Sequence, residues 1–339
     1  METLQGIIIL GDLAVGRICS EIRESLKEAV KNNLSEGILL SGGLDTSILS
    51  VIASKLVPLK AVTIALQDSP APDLKYSALM AKRLGLEHII HVFDEEELYS
   101  AAKAVVRTLQ SFDPMEIRNS ITIYIGMKTS REQGLTEIMT GDGCDELLAG
   151  YSYLFPLERK KLDLELQKLW NVMSFSSIPL AKTQGVEARL PYLDPKFRDF
   201  AMKIDSRYKI RRENDQIYGK WILRKAFEEY LPREIAWRIK TPIEYGSGTT
   251  TLPSFFNAKI TDKELKDKKE RYLSEDRVRL RDKEQLFYYE IYKSSKENMR
   301  RNGLEGKKCP QCNSNVPEKA TIAGHVARIK YDHRKESVL

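Results

Sequence analysis

The sequence predicts an α/β protein built on a parallel sheet with helices on both faces. Three observations carry this. Short apolar segments alternate with helical ones between about residues 17 and 140. A glycine-rich turn at 41–47 stands between an apolar strand and an apolar helix. The 339 residues, 42% hydrophobic and 30% charged, suffice for a large buried core.

Each element has its own signal. Residues 17–34 space Ile18, Ile22, Leu26, Ala29 and Val30 at helical intervals, with Glu and Lys between them. Residues 37–40 form a short apolar strand that runs into the glycine turn, and 48–56 read as a mostly apolar helix. Residues 61–65 are the next strand, 73–84 a helix closed by Gly85, 87–93 a third strand and 95–110 another helix. Residues 117–129 suit a partly buried helix in spite of their β-branched side chains. Residues 136–140 are a fourth strand and 157–173 a mixed helix. Pro191 and Pro195 make 190–195 a rigid turn, and Pro232 stops a helix over 221–230. Two glycines, Gly246 and Gly248, among small polar residues predict a mobile loop at 241–251.

The charge divides the chain. Residues 256–339 hold 21 basic and 14 acidic side chains, leaving 33 and 34 in the first 255. This predicts a near-neutral body over 1–255, a charged helical extension over 256–300 and a basic tail module over 301–339. In the tail, Cys309 and Cys312 have zinc-ligand spacing, and His325 and His333 can complete a Cys₂His₂ set. The alternative is a disordered tail with incidental cysteines. A zinc module beside basic residues would suit RNA or a carrier protein. No run of about 18 apolar residues predicts a membrane span, and the N-terminus lacks a signal-peptide pattern. Cys19 and Cys144 lie far apart while Cys309 and Cys312 are close, which fits a reducing, cytoplasmic setting rather than a disulfide scaffold.

Two loops carry chemistry. In Ser41-Gly-Gly-Leu-Asp-Thr-Ser47, Gly42 and Gly43 let the backbone turn, and the following helix N-terminus offers amides to an anion. Ser41, Thr46 and Ser47 add hydroxyl donors. Asp45 beside a phosphate requires a bridging divalent cation, which points to Mg²⁺ and a nucleotide. The bland alternative is a capped glycine turn. The second loop, Gly141-Asp-Gly-Cys-Asp-Glu146, also follows a strand. In a parallel sheet both loops open onto one crevice. Asp142, Asp145 and Glu146 thus approach the first loop, where Asp45 and Asp145 can hold metal on a triphosphate. A plain acidic turn is the alternative reading.

These loops and three later motifs resemble the synthetase domain of asparagine synthetases, in the ATP-pyrophosphatase superfamily. Residues 40–47, 140–151 and 185–194 are similar to its first three signatures. Lys220-Trp-Ile-Leu-Arg224 and Trp237-Arg-Ile-Lys240 are similar to the fourth and fifth. The resemblance covers about residues 20–255. It implies the adenine-nucleotide α-hydrolase-like fold, with ATP phosphates over Ser41 to Ser47. It implies Mg²⁺ ligands at Asp45 and Asp145, and Lys240 on the pentavalent phosphorus and the departing pyrophosphate. Backbone near Leu39, Leu40, Ile64 and Gly141 would line the nucleoside pocket. Gly246 to Gly248 would belong to a closing loop. The implied reaction adenylates a carboxylate, most simply aspartate, and ammonia or an amine displaces AMP.

Three departures qualify it. Asp142 stands where the family has glutamate, one methylene longer, in an acid–base role toward the nitrogen. Cys144 replaces a small residue and reads as buried rather than as a nucleophile. Residue 2 is Glu, and only about 36 residues precede the first strand. A glutaminase domain is therefore not expected within this chain. Free ammonia, a separate glutaminase or another amine would supply nitrogen. Amidation or cyclisation of another carboxylate, or modification of an RNA base, are the alternative activities.

Overall fold

The computed structural model describes residues 2–213, 215–301, 307, 308, 315 and 316. Its elements alternate as α1 (Glu2–Asn32), β1 (Gly37–Leu39), α2 (Leu44–Ala53), β2 (Lys60–Leu66), α3 (Asp73–Leu84), β3 (Glu87–Phe93), α4 (Glu95–Leu109), α5 (Pro114–Glu132), β4 (Glu137–Met139), α6 (Cys144–Leu147) and, later, β5 (Glu187–Arg189). The five strands pair in parallel in the order β3-β2-β1-β4-β5. Strand order reverses at β1, so the carboxyl ends of β1 and β4 flank a crevice suited to a ligand.

Local chemistry fixes several boundaries. Gly85 ends α3 at φ 63, in the left-handed region that glycine enters freely. Asp94 caps α4 by accepting from the Glu97 amide, and Asp113 caps α5 ahead of Pro114. α2 begins at Leu44, earlier than its apolar run suggests, so Asp45, Thr46 and Ser47 occupy its first turns.

Two apolar clusters cover the sheet. One joins Ile22, Leu26 and Val30 of α1 to Ile48 and Leu49 of α2 and to Trp221, Ile222 and Leu223 of the helix Trp221–Phe227. The other joins Leu98 and Val105 of α4 and Ile117, Ile121 and Ile125 of α5 to Leu286, Tyr288, Tyr289 and Tyr292. The last four lie on the helix Lys283–Arg301, so the charge-dense segment shares a core with the α/β body. Burial of this aromatic face supplies the driving force that its polar surroundings lack.

The structure adds elements that the sequence does not announce. β5 has only three residues, two of them charged, with no alternation to mark a strand. It is held by hydrogen bonds from Glu187 N to Thr136 O and from Thr140 N to Arg189 O. The antiparallel hairpin Ile210–Glu213 with Gln216–Gly219 is likewise absent from the sequence reading.

The loop expected at 241–251 is corrected. It is a short helix, Ile243–Ser247, followed by a 3₁₀ turn at Thr249–Thr251, with Glu244, Ser247 and Thr249 buried. Asn119 Oδ1 accepts from the Glu244 amide at 3.0 Å, and Thr122 Oγ1 donates to Ser247 Oγ at 3.0 Å. Gly246 passes so close to Asp73 that a Cβ would lie 2.1 Å from its Oδ2. Tertiary contacts with α3 and α5 thus order a segment whose local composition favours a loop.

Candidate active site

The first loop is shaped by its glycines. Gly42, at φ 67, lies against the α3 backbone, where an added Cβ would sit 2.3 Å from the Tyr76 carbonyl carbon. Ser41 Oγ accepts from the Gly43 amide at 3.2 Å and lies 3.2 Å from Thr46 Oγ1. No side chain caps the first turn of α2. Its orphan amides and positive dipole end therefore remain available to an anion. Ser47 Oγ is fully buried and has no hydrogen-bond partner among the described residues.

The second loop presses onto the first. A Cβ on Gly141 would lie 3.2 Å from both Asp45 Cβ and Thr46 Cγ2. Gly143, at φ 90, then turns the chain into the single turn of α6, which carries Asp145. The carbonyls that end this turn are taken up from three directions. Trp170 Nε1 donates to Glu146 O at 3.0 Å, Lys209 Nζ to Leu147 O at 2.9 Å, and the Lys220 amide to Leu148 O at 3.0 Å.

Four charged side chains meet between the loops. Lys220 Nζ donates to Asp45 Oδ2 at 2.6 Å and Oδ1 at 2.8 Å. It also lies 2.7 Å from Asp145 Oδ1, as an ion pair. Lys240 Nζ donates to Asp145 Oδ2 at 2.5 Å and stands 4.7 Å from the centroid of the Tyr151 ring. Lys220 is only 4% exposed, against 29% for Lys240. Burial alone would raise the Asp145 carboxyl, but Lys220 and Lys240 hold it well below the usual carboxylate range. Burial opposes the charge on Lys220, yet Asp145 and Asp45 hold its ammonium well above the ordinary range.

Asp142 is set differently. Its Oδ2 accepts from Thr140 Oγ1 at 3.0 Å and from Ser177 Oγ. Burial pushes its carboxyl up; the two hydroxyls oppose this, and the charges of Asp145 and Asp45 reinforce it. Burial and Asp145 also push Glu146 up, against the hydroxyl of Tyr151, which donates to Glu146 Oε1 at 2.5 Å. Cys144 is fully buried, and burial pushes its thiol well above the ordinary value.

Beside the loops, Leu40 and Ile64 are buried, and Leu39 faces α5. A Cβ on Gly126 of α5 would lie 2.8 Å from Leu39 Cδ2 and 3.4 Å from Ile64 Cγ1. The structure thus brings together Asp45, Asp145 and Lys240, with Asp142 on the same loop and Leu39 beside Ile64. Cys309, Cys312, His325 and His333 lie outside the described residues. Among the described residues, no group of three or more His, Cys, Asp or Glu side chains is arranged to hold a metal ion. None of their helices is long and apolar enough to cross a membrane.

Sequence reasoning gave Lys220 no role, although its motif was visible. It did not single out Ser177 or Gly150. A Cβ on Gly150 would lie 1.7 Å from Asp145 Oδ1 and 2.4 Å from Lys220 Cε. No local pattern marks Ser177, whose partner Asp142 lies 35 residues away. A separate surface cleft, lined by Glu213, Tyr218, Glu228, Arg233, Glu234 and Trp237, includes none of the charged cluster.

A family model described as asparagine synthase matches residues 21–177 and 179–297. The chain belongs to the asparagine synthase family. This family member is 31% identical over 282 residues to asparagine synthetase B [glutamine-hydrolyzing] of Escherichia coli strain K12, covering 75% of this chain and 50% of that protein. It is 30% identical over 309 residues to the probable asparagine synthetase [glutamine-hydrolyzing] of Dictyostelium discoideum, covering 79% and 55%. The chain therefore spans about half the length of these curated relatives. Among solved structures it is similar to NMN synthetase from Francisella tularensis, with a TM-score of 0.37 and 14% identity, covering 86% of this chain and 98% of that one.

Proposed function

We propose that this chain is an ATP-dependent amide-forming ligase that adenylates a carboxylate, most simply aspartate, and passes ammonia or an amine to it. The observation that carries the reading is the meeting of Asp45, Asp145, Lys220 and Lys240 at the carboxyl ends of β1 and β4. Family membership supports the same reading.

In the first step a carboxylate oxygen attacks the α-phosphorus of ATP. The bond from that phosphorus to the bridging oxygen breaks, and pyrophosphate leaves with the electron pair. The turn from Ser41 to Ser47 holds the phosphates through α2 amides and hydroxyls. Leu39, Leu40, Ile64 and Gly141 would border the nucleoside. Lys240 reaches the phosphates from the exposed side, and its ammonium stabilises charge that grows as pyrophosphate departs. Lys220 does so from the buried side. Asp45 and Asp145 are hard oxygen donors that converge from two loops, which fits Mg²⁺. They would hold it, and when bound it neutralises phosphate charge.

In the second step the nitrogen lone pair attacks the acyl carbon, the carbon–oxygen bond to AMP breaks, and Asp142 accepts a proton from nitrogen. Its upward-shifted carboxyl suits proton acceptance better than an ordinary aspartate does. Nitrogen would come from free ammonia, a separate glutaminase or an amine.

The test supplies ATP, Mg²⁺ and a panel of carboxylates, with and without ammonium or glutamine, and measures pyrophosphate and AMP. The expected result is aspartate-dependent AMP with asparagine as product. Pyrophosphate release that requires RNA and ignores every carboxylate would overturn the proposal.

A further inference from the structure

We infer that Ser177 is a positioning residue for the nitrogen-transfer step, acting by fixing one oxygen of Asp142. The inference rests on the ligase reading above and names what tunes its second half-reaction.

Ser177 lies at the start of the helix Ser177–Thr183, 35 residues after Asp142 and outside the five motifs. It is 1% exposed. Its hydroxyl donates to Asp142 Oδ2, the same oxygen that accepts from Thr140 Oγ1 at 3.0 Å. Two hydroxyls on one oxygen do two things. They fix the carboxyl's rotation about its Cβ–Cγ bond, and they leave the other oxygen, Oδ1, as the one free to take a proton. A short aspartate side chain needs such a tether. Its carboxyl must be aimed from the backbone, without a glutamate's additional methylene to adjust its reach.

The anchor is itself rigid. The helix Ser177–Thr183 buries Leu180 and Ala181 in the apolar cluster shared with α4 and α5. Its far end leads into β5, whose Arg189 carbonyl accepts from the Thr140 amide. Thr140 and Ser177 are therefore both tied to the sheet edge formed by β4 and β5, and Asp142 is held between them. Among the described residues, Ser177 makes its side-chain hydrogen bond to Asp142 and not to the Asp45–Lys220–Asp145–Lys240 cluster, whose members pair with one another. Removing the Ser177 hydroxyl should thus fall on nitrogen transfer and largely spare phosphate chemistry.

In nitrogen transfer the attacking nitrogen forms one bond to the acyl carbon. The carbon–oxygen bond to AMP breaks with its electron pair on AMP, and one nitrogen proton passes to Asp142 Oδ1. A freely turning carboxyl presents that oxygen in only a fraction of its orientations, which lowers the rate of proton acceptance rather than the binding of ATP.

The experiment measures the two halves separately on the whole chain. Carboxylate-dependent pyrophosphate formation without a nitrogen source reports adenylation, and amide formation against ammonium concentration reports transfer. For Ser177→Ala, kcat/KM for ammonium is expected to fall about tenfold, the loss of one hydrogen bond to a charged group, with adenylation within about twofold of the parent. Ser177→Thr, which keeps the hydroxyl, is expected to restore most of the transfer rate. An equal loss in both halves, an unchanged ammonium kcat/KM, or failure of threonine to rescue a folded variant would overturn the inference while leaving the ligase reading intact. Absence of carboxylate-dependent pyrophosphate in the parent chain would overturn both.

Discussion

The Lys220 ammonium lies 2.7 Å from Asp145 Oδ1, and the Gly150 backbone passes so close that no larger residue fits beside them. Lys220 starts a helix in the left-handed conformation, at φ 54, and its amide bonds the Leu148 carbonyl. Backbone and side chain of one residue thus tie the hairpin region to the loop that carries Asp145. The same ammonium neutralises Asp45 on the first loop.

Lys220→Met leaves Asp45 and Asp145 facing each other in a poorly solvated site. Loss of one partner from a buried charge cluster destabilises by about 3–5 kcal/mol. The melting temperature of the variant is expected to fall sharply without divalent cation and to recover partly with added Mg²⁺. The rise with Mg²⁺ should exceed that of the parent, measured by thermal melts with and without the ion. An equal response of both proteins would show that the carboxylates do not share a cation position.

Lys240→Ala removes the more exposed cation. Adenylation is expected to slow by about 10²–10³-fold, the scale for deleting a group that stabilises transition-state charge. ATP affinity should change far less, because α2 and Lys220 remain. Single-turnover pyrophosphate release and equilibrium nucleotide binding, measured on the same preparation, separate the two.

Gly42→Ala and Gly85→Ala form a matched pair. Both glycines have positive φ, 67 and 63, but an added Cβ at Gly85 meets nothing within 4 Å, whereas at Gly42 it strikes the α3 backbone. Gly85→Ala should cost about 1 kcal/mol of backbone strain alone. Gly42→Ala should lose more, and lose nucleotide binding with it. Urea melts and ATP titration of the two variants test the contrast.

Lys209 is fully buried, donates to the Leu147 carbonyl and stands 4.7 Å from the centroid of the Trp170 ring. Burial pulls its ammonium down to about 7. The unfolded chain binds this proton up to about 10.5. Between about pH 7 and 10.5 the unfolded state carries more proton, so stability from this residue rises with pH. Below 7 both states carry the proton and the full burial penalty applies. Lys209→Met is therefore expected to compare best with the parent at pH 6 and worse by pH 9.5, in denaturant melts at both values. A difference independent of pH would contradict the assignment.

Much of the α/β body could be read along the chain. The strand at 87–93 and the helix 73–84 with its Gly85 stop coincide with the structure, because alternation, helical spacing and a glycine cap are local signals. The residues of both loops were visible for the same reason. The helix Ile243–Ser247 was hidden, since Gly246 and the following Gly248 favour a loop until Asn119, Thr122 and Asp73 supply partners. β5 was hidden because three residues carry no period, and its hydrogen bonds come from β4.

The sequence by itself determined the alternation of strands and helices, the anion-binding turn at Gly42 and Gly43, and the acidic loop at Asp142 and Asp145. Those depend on residue type and spacing over a few positions. Only the tertiary structure decided that Lys220 bridges the two loops, 175 residues from Asp45, and that Ser177 rather than a neighbour in sequence holds Asp142. A buried ion pair or hydrogen bond between distant segments is set by how the sheet and helices pack, and packing leaves no periodic trace along the chain.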